Sequence, residues 1–159
     1  MTVKRLKSAG GFTLVEVMTA IVILSVAVIG ASGYRYYAAL DARKAAMHTT
    51  ASRIGLLLSE SWRGVNGIDT YDPVAQFASE LAINENPDFS EYGYKDENFT
   101  LLGNYKVSMN DTNYCAILSW RDITTGLRAL NIVVVWPLQN DDLQNYAFRR
   151  FELTTYTTN

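Results

Sequence analysis

The run from Phe12 to about Ser32 constrains this chain more than any other feature. It is apolar or small throughout and carries a single charge, Glu16, near its start. About 20 such residues cross a hydrocarbon core ~30 Å thick as a helix. The run follows a short stretch, Met1 to Gly11, whose charges are Lys4, Arg5 and Lys7 with no acid among them. That bias favours a cytoplasmic N-terminus and sends the rest of the chain to the opposite side. No second apolar run of that length follows, so the sequence predicts a single span with its domain outside the cytoplasm. A secretory signal peptide places its small-residue cut after the apolar part. Here Gly10 and Gly11 come before it, so a cut at Gly11 removes the basic piece and keeps the span. Glu16 is the anomaly. A carboxylate deep in a bilayer costs roughly 2.5–3.5 kcal/mol on insertion scales, and a plain anchor has no reason to carry one unless something pairs with it.

The seam Gly10-Gly11-Phe12-Thr13-Leu14-Val15-Glu16 resembles the processing site of type IV prepilins and of the pseudopilins of type II secretion. The resemblance implies that a prepilin peptidase cuts after Gly11, that the new N-terminal Phe12 is N-methylated, and that Glu16 acts in assembly. Cleavage would create an α-amino group on Phe12, and an ammonium can neutralise a carboxylate otherwise buried alone. In the family that pairing is thought to join neighbouring subunits. The implied partners are the peptidase, other pilin or pseudopilin subunits, the inner membrane, and a pilus or secretion assembly platform. The implied location is the inner (cytoplasmic) membrane, then the pilus or pseudopilus. The likeness is specific over the first 50 or so residues and extends further only as architecture. Many pilins close a C-terminal loop with a disulfide. This chain has one cysteine, Cys115, so an intrachain disulfide is impossible, which points to a minor subunit. Cys115 lies in the apolar run Tyr114-Cys115-Ala116-Ile117-Leu118 and reads as a small buried hydrophobe.

Beyond the span, Leu40, Met47, Ala51, Ile54 and Leu58 recur at helical steps, with Asp41, Arg43, Lys44, His48 and Arg53 largely between them. That is one apolar stripe on an amphipathic helix. No proline occurs before Pro73, so one helix is expected from residue 12 to about 62, about 50 residues and roughly 75 Å long. Residues 12–33 would form its membrane or filament-core half and 34–63 its amphipathic half, after a leader over 1–11. Gly30 and Gly33 mark either close packing through small residues or a point of local weakness. Tyr34, Tyr36 and Tyr37 suit an aromatic belt at the membrane interface or packing between subunits. Trp62 reads as core, and Gly64 as the helix C-cap with Arg63 at the negative end of the dipole.

Residues 64–97 read as a connecting region rich in turn signals, including Asn66-Gly67, Asp72-Pro73 and Asn86-Pro87. A short helix is expected over Pro73 to Ile83. Over 98–159 four β-prone runs follow, Phe99 to Met109, Asn113 to Trp120, Leu127 to Trp136 and Ala147 to Thr157. Asn110-Asp111-Thr112 signals a tight hairpin, Thr124-Thr125-Gly126 a second turn, and Gln139 to Asn145 a third connection. The unbroken apolar run at Ile132 to Trp136 suits a central strand covered on at least part of both faces. The expected fold class is α+β, pilin-like, with a long N-terminal helix packed on a four-stranded antiparallel meander.

No convergent catalytic set is visible, so the chain is not expected to be an enzyme, and no cofactor or metal is expected. His48, the single histidine, is placed on the polar side of the helix beside Lys44 and Ser52, far in sequence from Cys115. Asn140-Asp141-Asp142 is the best cation candidate, but it lacks the spacing of a dedicated calcium loop and reads as a solvated turn. Without its leader the chain keeps 11 of 14 basic residues against 16 acids, a net charge near −5. Such a surface argues against nucleic acid as a partner. A pilin-like DNA-uptake receptor, which would need a local basic patch around Arg149-Arg150, is one rival reading. An unprocessed signal-anchored envelope protein is the other.

Overall fold

A computed structural model describes residues 11–77, 80–85, 98–137 and 148–158. The chain divides into two compact units, Met1–Ala45 and Ala46–Asn159. One helix runs through both: α1, Leu14–Gly64, 51 residues long. The sequence expectation of about 50 residues holds, with each end shifted by two positions. Thr13 starts the helix, its hydroxyl accepting the Glu16 backbone N–H at 3.3 Å, so that it acts as the N-cap.

The far end of α1 corrects the sequence reading. Gly64 is still helical. The chain instead leaves the helix at Asn66 and Gly67, which have φ of 57° and 64°. The Gly67 N–H donates to the Trp62 carbonyl and the Asn66 N–H to the Arg63 carbonyl, each at 2.9 Å. These two bonds form the Schellman pattern with Asn in the left-handed position. Gly67 is needed for space as well, because a Cβ there would approach Leu130 and Thr157 side chains within 3 Å.

In the second unit, α1 buries Ala51, Ile54, Leu58 and Trp62, with Met47 packed at the margin of the same core. The stripe read from the sequence is therefore the packed face from Met47 onward. Gly55 permits a close approach of helix and sheet: a Cβ there would lie 2.8 Å from the Phe151 ring. A five-residue helix, α2 (Pro73–Phe77), and strand β1 (Ala82–Glu85) follow. This replaces the helix expected over Pro73 to Ile83. The helix begins at Pro73, with the Asp72 carboxylate accepting the Val74 N–H at 2.8 Å. By Ala82 the backbone pairs with its neighbour strand, and Ile83 fills the core across from Val107.

The remaining strands are β2 (Thr100–Met109), β3 (Thr112–Thr124), β4 (Leu127–Pro137) and β5 (Phe148–Thr158). All neighbours are antiparallel, in the order β1-β2-β3-β4-β5. The sheet is the expected meander with five strands rather than four. The sequence conceals β1 because a four-residue edge strand inside a turn-rich stretch has too few residues to display a period. Asn110 and Asp111 both have positive φ, the signature of a two-residue type I′ hairpin. Gly126, at φ 85°, turns β3 into β4.

Register sorts the side chains. Leu118, Ile132 and Leu153 lie across from one another, and Leu118, Leu130, Ile132, Val134 and Trp136 join the core beneath the helix. The alternate residues Cys115, Ile117, Val133 and Val135 make a second buried cluster on the other face. All of residues 128–136 are buried, as expected of a central strand covered on both sides.

Candidate functional site

In the N-terminal unit, no described residue covers the helix. From Phe12 to Ala39 every residue is exposed, including Leu14, Ile21, Leu24, Val28 and Ile29. Among the described residues this is one helix long and apolar enough to cross a membrane. Its hydroxyls are adapted to such surroundings. Thr19 donates to the Glu16 carbonyl, Ser25 to that of Ile21 and Ser32 to that of Val28, all at 2.8–2.9 Å. A hydroxyl that bonds back to its own helix leaves no unpaired donor where water is absent. Gly30 and Gly33 are helical, with open space where a Cβ would stand.

Glu16 sits at the third position of α1. With Thr13 capping it, Thr13-x-x-Glu16 has the spacing of a capping box. The carboxylate also lies in the first turn, where the helix dipole favours negative charge. This local role was legible in the sequence and adds to the role the resemblance implies. Glu16 shares a groove of about 530 Å³ with Phe12, Val17, Ala20, Ile21 and Leu24. Apart from the acid the walls are apolar, and Ala20, one turn on, leaves room beside the carboxylate. Phe12 and Glu16 are thus brought to one face. Gly11 precedes the helix and is exposed; Lys4, Arg5 and Lys7 lie outside the described residues. Tyr34, Tyr36 and Tyr37 are exposed, with the last two rings edge-on at 5.7 Å.

The second unit holds the other residues singled out above. Cys115 is buried and unpaired. Burial pushes its thiol well above the ordinary range, so the reactive thiolate is suppressed. His48 is exposed, as its place on the polar side of the helix implies, and its ring also lies edge-on to Trp136 and Phe151 at 5.9 and 6.1 Å. Trp62 is fully buried, donates its indole N–H to the Ile68 carbonyl at 2.9 Å and stacks on Tyr71. Arg149 and Arg150 pair with Trp136 and Val135 in turn, so they lie on opposite faces of β5 and form no joint basic patch. No group of three or more His, Cys, Asp or Glu able to share a metal ion occurs among the described residues. Asn140-Asp141-Asp142 and the connection around it lie outside them.

One residue with no signal in the sequence is Arg128, a buried guanidinium. It donates to the Gly67 carbonyl at 2.9 Å and to both Asp122 oxygens at 2.7 and 3.2 Å, and lies 3.9 Å from the Trp120 ring centre. It ties the turn after α1 to the sheet. The Arg128 hydrogen bonds hold the Asp122 carboxyl below its ordinary value.

Residues 6–32 match the family model of the prokaryotic N-terminal methylation motif, the leader signature of type IV prepilins and pseudopilins. No curated protein and no solved structure matches the chain.

Proposed function

We propose that this chain is a structural subunit, a minor pilin or pseudopilin, of a type IV pilus or a type II secretion pseudopilus. The observation that carries this reading is the methylation motif at residues 6–32 on a helix whose apolar residues are exposed from Phe12 to Ala39. Its work is assembly rather than turnover. Cleavage after Gly11 and methylation of Phe12 prepare the N-terminus. The exposed face bearing Phe12, Glu16 and Ala20 then docks on neighbouring helices, and apolar contacts with protein replace those with lipid. Glu16 fixes the register, because an acid in an apolar groove is stable only where an ammonium meets it. The back-bonded hydroxyls of Thr19, Ser25 and Ser32 let the same surface serve in lipid and in a filament core. The domain stays outside the cytoplasm and coats the assembly.

The test is the N-terminus of the protein purified from membranes of its native host. Intact mass and N-terminal sequencing are expected to show N-methylated Phe12 as the first residue. A chain that begins at Met1 overturns the reading. Gly11→Leu is expected to abolish maturation while leaving membrane insertion unchanged.

A further inference from the structure

The two edges of the sheet differ. β1 is four residues long, and shortness is one way natural sheets blunt an edge. β5 forms the other edge with 11 residues and keeps an unshifted register against β4. Among the described residues it has a strand on one side only, so its outer N–H and C=O groups form an open row. From Leu153 to Thr158 the strand is built of Leu, Thr and Tyr, residues suited to pairing. That stretch carries no charge, proline or bulge to deter a further strand.

A cleft lies beside this edge. α1 and β5 run side by side: a Cβ on Gly55 would meet Phe151, and one on Gly67, in the turn after the helix, would meet Thr157. Near the end of both elements, Glu60, Arg63 and Gly64 of the helix and Tyr156, Thr157 and Thr158 of the strand line a space of about 430 Å³. Glu60 and Arg63 pair with each other at 3.0 Å, which leaves that wall polar but without net charge. Leu56 shares their flank of the helix, four and seven positions before them, and is 50% exposed. At the start of β5, Arg149 and Arg150 are exposed, while Glu152 accepts from the Asn131 amide at 3.4 Å.

We propose that the β5 edge takes an extended segment of another protein as a sixth, antiparallel strand, with apolar side chains turned towards α1 and acidic residues at its C-terminal end. Backbone bonds to the open row supply affinity, and alternate side chains supply selectivity. Partner residues opposite Phe151, Leu153 and Thr155 fall on the α1 side of the sheet, where Leu56 offers them apolar surface. The antiparallel direction brings the C-terminal end of the segment to Arg149 and Arg150. Because these lie on opposite faces of β5, they meet two successive partner residues, and acids there complete the charge match. A second copy of this chain matches less well. β5 laid antiparallel on itself over its full length sets Thr157 and Tyr156, not acids, against the two arginines. The inference uses no residue of the N-terminal unit, so its failure leaves the assembly reading untouched.

The experiment titrates the full chain, 15N-labelled in detergent micelles, with the end-capped peptide Thr-Val-Thr-Val-Thr-Val-Asp-Asp. Saturable shifts are expected for the β5 amides, with slower hydrogen exchange at alternate positions as the outer N–H groups become bonded. The same peptide N-methylated at every residue keeps its side chains but cannot donate a strand hydrogen bond, and is expected not to bind. A peptide ending in Lys-Lys is expected to bind more weakly than the one ending in Asp-Asp. Arg149→Glu is expected to weaken binding of the Asp-Asp peptide about threefold, in keeping with an exposed ion pair. Leu56→Lys is expected to weaken it too, with the β3–β4 amide signals unchanged to show that the sheet is intact. Absence of saturable shifts, equal binding by the N-methylated or Lys-Lys peptide, or unchanged affinity in Arg149→Glu overturns the proposal. So does protection of the β5 amides that rises with protein concentration in the absence of peptide, the mark of a second copy on the edge.

Discussion

Arg128→Met tests whether one guanidinium ties the end of the long helix to the sheet. Arg128 is 7% exposed, and methionine retains much of its apolar stem. The change leaves the Gly67 carbonyl, now bonded at 2.9 Å, without its donor, and an orphaned buried acceptor costs about 1–3 kcal/mol. Loss of the cation over the Trp120 ring adds roughly 1 kcal/mol. Removing a buried charge also returns part of its desolvation cost, so the net loss comes to about 2 kcal/mol. Asp122, half exposed, regains water and contributes little. A domain of about 110 residues unfolds with an entropy near 0.24 kcal/mol/K, so the melting temperature should fall by about 8 °C. Near-UV circular dichroism of the full chain in micelles reads this directly. Acid supplies a second readout. The folded value of Asp122 is depressed by Arg128, so its contribution is present above the ordinary 3.8 and is lost as pH falls through the folded value. The variant should lack that part of the acid decline. A melting temperature within about 2 °C of the parent, the size of an ordinary surface change, together with an unaltered acid limb, would refute the reasoning.

Gly55→Leu places a side chain where even a Cβ would stand 2.8 Å from the Phe151 ring. It should cost about 1–3 kcal/mol through overpacking, and denaturant unfolding of Gly55→Leu/Phe151→Ala should recover part of that loss. In alkali, Tyr105 must stay neutral while folded, whereas the unfolded chain ionises it near 10. Stability should therefore fall as pH rises from 10 towards about 12, and Tyr105→Phe should show a shallower decline in melting temperature over that window. Glu16→Ala should insert in the membrane normally but fail to enter filaments, read by shearing and immunoblotting; wild-type incorporation would contradict its assigned role.

The parts of this protein whose causes are local can be read along the chain. An uninterrupted apolar run and its single acid specify the exposed half of α1. Thr13-x-x-Glu16 marks where the helix begins, the stripe from Met47 to Leu58 marks the face that packs, and Asn110-Asp111 specifies a hairpin through residues that tolerate positive φ. Ile132 to Trp136 announces a doubly covered strand. Features that need two distant segments in register emerge only on folding. β1 exists because Ile83 meets Val107, not because four residues prefer a strand. Gly55 matters only because the Phe151 ring arrives over it. Arg128 becomes a staple because pairing of β3 with β4 places Asp122 opposite it while the turn after α1 brings the Gly67 carbonyl. Periodicity records which way a side chain faces along its own element. It carries no record of what another element will set against that face.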